Sequence, residues 1–246
     1  MTKIKISVVS YLNSQPFIYG LKQSKLIKHV DLQLDIPSVC AQKLMHGKVD
    51  IGLVPVAILP QLKQYYILSD YCIGAEGKVG SVMLYSNVPL EEITTILLDY
   101  QSNTSILLVK ILANHHWKIS PQWVPAGLNY ENEIIGKTAA VIIGDRTFEL
   151  GNKFNYSYDL AEEWHKFTKL PFVFACWVSN KKMSVNFIKQ FNAALKYGID
   201  NRSQLISELL INKAFHTDID VYLNRNIKYI FDDEKKNALK FFLSYI

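Results

Sequence analysis

Short apolar runs recur along the chain, separated by polar loops at intervals that fit strands alternating with helices. Strands are expected at 4–9, 31–36, 49–54, 71–75, 79–86, 95–99, 138–143 and 172–178. Helices are expected at 38–45, 102–115 and 159–168, with a short one at 55–59. Residues 49–54 and 138–143 are almost wholly apolar, as parallel strands covered on both faces should be. Alternation of this kind predicts βα units, an α/β fold and a mainly parallel sheet. From 183 to 246 the pattern changes to helical spacing alone: Phe187, Phe191 and Leu195; Leu205 and Leu209; Leu239, Phe242 and Leu243. That block has no sheet core of its own and is expected to pack on the first lobe. The order predicts two lobes around a central cleft. Residues 1–87 and 179–246 form the first, 88–178 the inserted second, and the chain crosses near 86–89 and 177–180. Such a clamp holds a small molecule and closes by a hinge.

Composition narrows the partners. The chain has 246 residues, 49% hydrophobic and 20% charged, enough to build a folded core. No apolar run approaches the ~18 residues that span a bilayer, and no leader-like segment precedes the first strand, so a cytoplasmic protein without a membrane partner is expected. Cys40, Cys72 and Cys176 are widely spaced in apolar surroundings and read as buried small hydrophobes, with no metal-binding spacing. The net charge of +5 comes mostly from scattered lysines. This lacks the clustered patch of a nucleic-acid binder and favours a small anionic ligand.

Candidate chemistry gathers at strand ends. Ser10-Tyr11-Leu12-Asn13-Ser14-Gln15-Pro16 follows the first strand, at the edge where open α/β sheets bind ligands. Pro16 suits the first turn of a helix, and Ser14 could cap it. Ser102, Asn103, Thr104 and Ser105 open a helix after strand 95–99. Hydroxyls, free N–H groups and the helix dipole together suit a carboxylate or phosphate. Ser38, starting its own helix, and Ser81, before the crossing, are further candidates to line the cleft. Asp145 ends strand 138–143, where it would serve as a helix cap or as a base facing the cleft; Arg146 reads as a surface residue. His115 and His116 end a helix and read as structural. Trp164 and Trp177 read as core. No Gly-rich phosphate loop, GxSxG elbow or HExxH occurs, which argues against nucleotide, hydrolase and metalloprotease chemistry.

Several segments, in unbroken order from 6 to 178, resemble the menaquinone-biosynthesis family that contains chorismate dehydratase. They include Ser10-Tyr11-Leu12-Asn13-Ser14, Ile36-Pro37-Ser38-Val39-Cys40-Ala41, Val49-Asp50-Ile51-Gly52-Leu53-Val54-Pro55-Val56 and Ile73-Gly74-Ala75. In the second lobe they are Leu98-Asp99, Ser102-Asn103-Thr104-Ser105, Ile143-Gly144-Asp145, Tyr158-Asp159-Leu160 and Leu170-Pro171-Phe172-Val173-Phe174-Ala175. The resemblance implies a type II periplasmic-binding-protein-like fold. It implies dehydration of the dianion chorismate to 3-[(1-carboxyvinyl)oxy]benzoate on the futalosine route, without a metal or organic cofactor. Asn13 is then the central catalytic residue. Tyr11, Ser14, Ser38, Ser81 and Ser102–Ser105 would bind substrate, and the proton goes either to Asp145 or to a substrate carboxylate. The sister 1,4-dihydroxy-6-naphthoate synthase carries a Ser-Pro-Cys-Pro-Asn-type first loop, so Tyr11-Leu12-Asn13 favours the dehydratase branch. A solute-binding protein of the same fold is the other alternative. One departure stands out: Lys169 occupies a position where the family often has Gly.

Overall fold

In the computed structural model, which describes residues 3–151, 153–212 and 216–246, two mixed sheets face each other across a cleft. The strands are β1 (Ile4–Val9), β2 (Val30–Asp35), β3 (Ile51–Pro55), β4 (Tyr66–Ala75), β5 (Val82–Ser86), β6 (Thr95–Leu98), β7 (Gln122–Pro125), β8 (Thr138–Ile143), β9 (Tyr156–Asp159), β10 (Phe172–Ser179) and β11 (Lys228–Ile230). The helices are α1 (Gln15–Gln23), α2 (Pro37–Met45), α3 (Asn103–Ile111), α4 (Thr147–Leu150), α5 (Leu160–Thr168), α6 (Val185–Asp200), α7 (Arg202–Asn212), α8 (Ile219–Val221) and α9 (Asp233–Leu243). The first sheet runs β11-β4-β10-β3-β1-β2 and the second β7-β6-β8-β5-β9.

The sheets correct two expectations. First, only three strands of each run parallel, β2-β1-β3 and β7-β6-β8. The strand arriving from the other sheet pairs antiparallel, β10 with β3 and β4, and β5 with β8 and β9. Such a strand enters without the crossover helix that parallel pairing needs. Second, β5 belongs to the second sheet and β10 to the first. The chain therefore crosses at 76–81 and 169–171, rather than at 86–89 and 177–180. Both strands are buried along their whole length, and an apolar run reads the same on either side of a hinge.

The C-terminal tail is also not purely helical. β11 pairs antiparallel with the edge of β4, and at three residues it is too short to show a period. The tail does pack on the first lobe. α6 lies against α1 with almost no gap at Gly20 and Gly198: a Cβ on Gly198 would stand 1.7 Å from the Pro16 carbonyl oxygen. Beneath them Phe17 meets Trp177 and Tyr229 edge-on at 5.7 and 5.3 Å, and Trp177 meets Phe191 at 5.0 Å. The loop before α1 is thereby anchored in the aromatic core. Trp164 and Trp177 are fully buried, and Cys40, Cys72 and Cys176 are buried and unbridged.

Ser14 and Ser38 do not cap their helices. Ser14 precedes α1, but its hydroxyl makes no cap bond; Ser38 lies inside α2, whose preceding residue is Ile36. Pro16 and Pro37 sit in the first turns, where the missing N–H costs nothing. Lys169 closes α5 in the left-handed region at φ 62°, its N–H donating to His165. The turn expected of a glycine survives with a lysine in it.

Candidate functional site

A narrow cavity of about 50 Å³ lies where the C-terminal ends of β1 and β3 face that of β8 across the cleft. The first loop supplies Tyr11, Asn13 and Ser14. Ser81 comes from the crossing before β5, and Ser102 and Ser105 from the start of α3. Val9, Ile73, Val82, Ile143 and Phe174 form much of the remaining wall. Six of the ten expected site residues thus share one cavity, from both sides of the cleft.

The start of α3 explains which of its four polar residues arrive. Ser102 precedes the helix, its Oγ accepting from Ser105 N at 3.5 Å. Three residues apart, Ser102 and Ser105 share a face and look into the cavity together. Asn103 points to solvent. Thr104 is fully buried, and its Oγ1 accepts from Ala57 N at 3.1 Å across the cleft. Neither Asn103 nor Thr104 lines the cavity. Ser38 does not reach it either; its N–H donates to Gln101 O at 2.9 Å, another tie between the two sides.

Asp145 sits beside the cavity, not in its wall. Both its oxygens accept from Leu12 N, at 3.0 and 3.2 Å. The residue expected as cap or base therefore grips the main chain of the first loop from the other lobe. Next to it, Gly144 is at φ 71°, and the Tyr11 ring lies so close that a Cβ there would come within 2.6 Å of it. Tyr11 donates to Gln101 Oε1. Burial raises the Tyr11 hydroxyl far above its ordinary range, with Asp99 adding to the effect, so it stays a neutral donor.

Arg146 is not a surface residue. Its guanidinium pairs with Asp99, which is fully buried at the end of β6, and with Glu131 at 3.0 Å. Asp99 also accepts from Tyr130 Oη at 2.7 Å and Ile143 N at 3.1 Å. Burial still raises the Asp99 pKa against the pull of Arg146. The Arg146 charge is matched within this network, which braces the strand ends under the cavity.

Among the described residues that line the cavity, none is an Asp, Glu, His, Lys, Arg or Cys. The wall offers hydroxyls, one amide, helix N–H groups and apolar surface. It can orient an anion and stabilise developing charge, but it holds no group to take a proton at neutral pH. No cluster of three or more His, Cys, Asp or Glu among the described residues is placed to hold a metal ion. Among those residues, no helix is long and apolar enough to cross a membrane. Sequence reasoning missed Gln101, Tyr222 and Tyr229, which stand behind the wall. Gln101 ties the lobes, Tyr222 donates to Ser81 Oγ at 2.8 Å, and Tyr229 donates to the Asn13 carbonyl at 2.9 Å.

The menaquinone-biosynthesis family profile matches residues 4–246, nearly the whole chain. The chain belongs to the menaquinone-biosynthesis family. It is 26% identical to a chorismate dehydratase of Campylobacter jejuni over 247 residues, covering 96% of this chain and 94% of that one. A chorismate dehydratase of Thermus thermophilus is 24% identical over 201 residues, covering 68% and 71%. Among solved structures, protein AF1704 from Archaeoglobus fulgidus superposes with a TM-score of 0.76 at 13% identity, covering 98% of this chain and 96% of that one. The periplasmic aliphatic sulphonate binding protein SsuA from Escherichia coli superposes at 0.61 and 13% identity, covering 100% and 93%. The fold is that of the two-lobed periplasmic binding proteins, as expected from the sequence.

Proposed function

We propose that this member of the menaquinone-biosynthesis family is a chorismate dehydratase, forming 3-[(1-carboxyvinyl)oxy]benzoate and water. On this reading it is a carbon–oxygen lyase of the futalosine route, working in the cytoplasm. The observation that carries the proposal is the wall itself, with hydroxyls and one amide converging from both lobes and no ionisable base among the described lining residues. The family match and the relatives named chorismate dehydratase support it.

Chorismate brings two carboxylates and a ring one elimination away from aromaticity. A ring proton leaves to a base, and its C–H pair enters the ring. Hydroxide leaves from the neighbouring carbon with its bonding pair, and proton and hydroxide depart as water. The protein's task is to bind the dianion, orient the ring and stabilise the departing oxygen. Ser102, Ser105 and the α3 N-terminus hold a carboxylate. Asn13 and Ser81 donate to the developing charge; a donor of this kind lowers the barrier by about 3–4 kcal/mol. With Asp145 occupied by Leu12 N and off the wall, the base is a carboxylate of the substrate.

Contacts between the two lobes close over the cavity. Substrate enters when the lobes part, breaking ties such as Ala57–Thr104 and Leu12–Asp145, and is enclosed when they re-form. Incubating the pure protein with chorismate tests the reading. Conversion to a product lighter by one water, with an aromatic ultraviolet spectrum, is expected. Tight binding of another anion with chorismate unchanged would favour a solute-binding protein.

A further inference from the structure

The chemistry above makes no use of the C-terminal tail, yet two tail tyrosines reach the back of the cavity. Tyr222 opens the turn Tyr222–Asn226 after α8 and is 2% exposed, its ring edge-on to Phe148 at 4.9 Å. Its hydroxyl donates to Ser81 Oγ at 2.8 Å. Burial drives the pKa of this hydroxyl well above the ordinary tyrosine value, so it stays a neutral phenol. Ser14 Oγ donates to Asn13 Oδ1 at 3.1 Å. Tyr229, on β11, fixes the Asn13 carbonyl.

These bonds leave few choices for the protons. A neutral phenol has one proton, and it goes to Ser81 Oγ. The Ser81 proton is then left for the open side, which is the cavity. The Asn13 side-chain oxygen Oδ1 is engaged by Ser14, so the amide hydrogens remain for other acceptors. Tyr222 itself does not line the cavity.

We propose that Tyr222 is a positioning residue, fixing the Ser81 hydroxyl as a donor toward the reacting atoms without touching substrate. The inference rests on the dehydratase reading. Tyr222→Phe removes one oxygen and keeps the ring. It should lower kcat about tenfold and leave KM within about twofold. In the Ser81→Ala background the same change should add less than about twofold, because the partner is already gone. Tyr85→Phe, whose hydroxyl donates to the Thr147 carbonyl, should leave kcat unchanged. Wild-type kcat in Tyr222→Phe, or full additivity with Ser81→Ala, overturns the proposal.

A second readout needs no turnover. With 3-fluorotyrosine at position 222 in the full chain, the fluorine resonance should move in Ser81→Ala and hold its place in Tyr85→Phe. A resonance unmoved in Ser81→Ala overturns the inference even if Tyr222→Phe does not fold. A wild-type protein inert to chorismate whose resonance does move would instead overturn the dehydratase reading alone.

Discussion

Asn13 and Asp145 carry opposite expectations. Asn13 is in the wall with its carbonyl held by Tyr229 and its amide oxygen by Ser14, so its remaining hydrogens are aimed by the protein. Asn13→Ala should lower kcat by about 10²–10³ with an unchanged fold, checked by steady-state kinetics and circular dichroism. Asp145 is outside the wall, and an asparagine there could still accept from Leu12 N. Asp145→Asn should therefore cost about tenfold or less in kcat, whereas loss of a true general base costs about 10²–10⁴. Much of this site was legible in the sequence, because Asn13, Ser102 and Ser105 stand at strand ends beside helix starts. The role of Asp145 was not, since a carboxylate after a strand looks alike whether it faces substrate or a neighbouring loop. Tyr222 and Tyr229 left no signal, because a buried tyrosine in a tail matches the aromatic core around it.

Among elements, the αL turn after α5 shows local sequence and fold in conflict. Lys169 holds φ 62°, a region that costs a residue with a Cβ about 1–2 kcal/mol. Lys169→Gly should raise stability by about 1 kcal/mol, after the added chain entropy of glycine, measured as a shift in the urea midpoint at constant m. The strands show the reverse case. β8 was legible to its ends because it is apolar and buried from Ala139 to Ile143. β9 and β11 were not, with four and three residues and mixed burial. Partner sheets were illegible for β5 and β10, since burial pattern gives face coverage and not which neighbour supplies it.

In the whole molecule, the two crossings set how the halves move. Asp159, at the start of α5, accepts from Val79 N at 2.9 Å, Gly80 N at 2.6 Å, Ala161 N at 3.1 Å and Glu162 N at 3.2 Å, joining a helix to the first crossing. Lys235, 2% exposed at the side chain, pairs with Glu76 at 2.6 Å and Asp232 at 2.9 Å and ties the same crossing to α9. Burial pushes the Asp159 carboxyl up to about 6 despite its four N–H donors. The folded protein then holds this proton more tightly than the unfolded chain. Its contribution to stability is present at low pH and is lost as pH rises through about 6. Asp159→Asn has no proton to exchange there. The wild-type lead in melting temperature over Asp159→Asn should widen as pH falls from about 7 to 4, by calorimetry. Asp50, Glu163 and Asp232, whose pKa values are lowered, act in the opposite sense at lower pH and are common to both proteins.

The wall without a base is the centre of this account, and a crystal of the Asn13→Ala protein soaked in chorismate interrogates it most directly. One chorismate should lie between the lobes, a carboxylate on Ser102, Ser105 and the α3 N-terminus, with its own carboxylate the acceptor nearest the departing ring proton. Chorismate bound with Asp145 or another protein base within hydrogen-bonding reach of that proton, or bound elsewhere altogether, would contradict it.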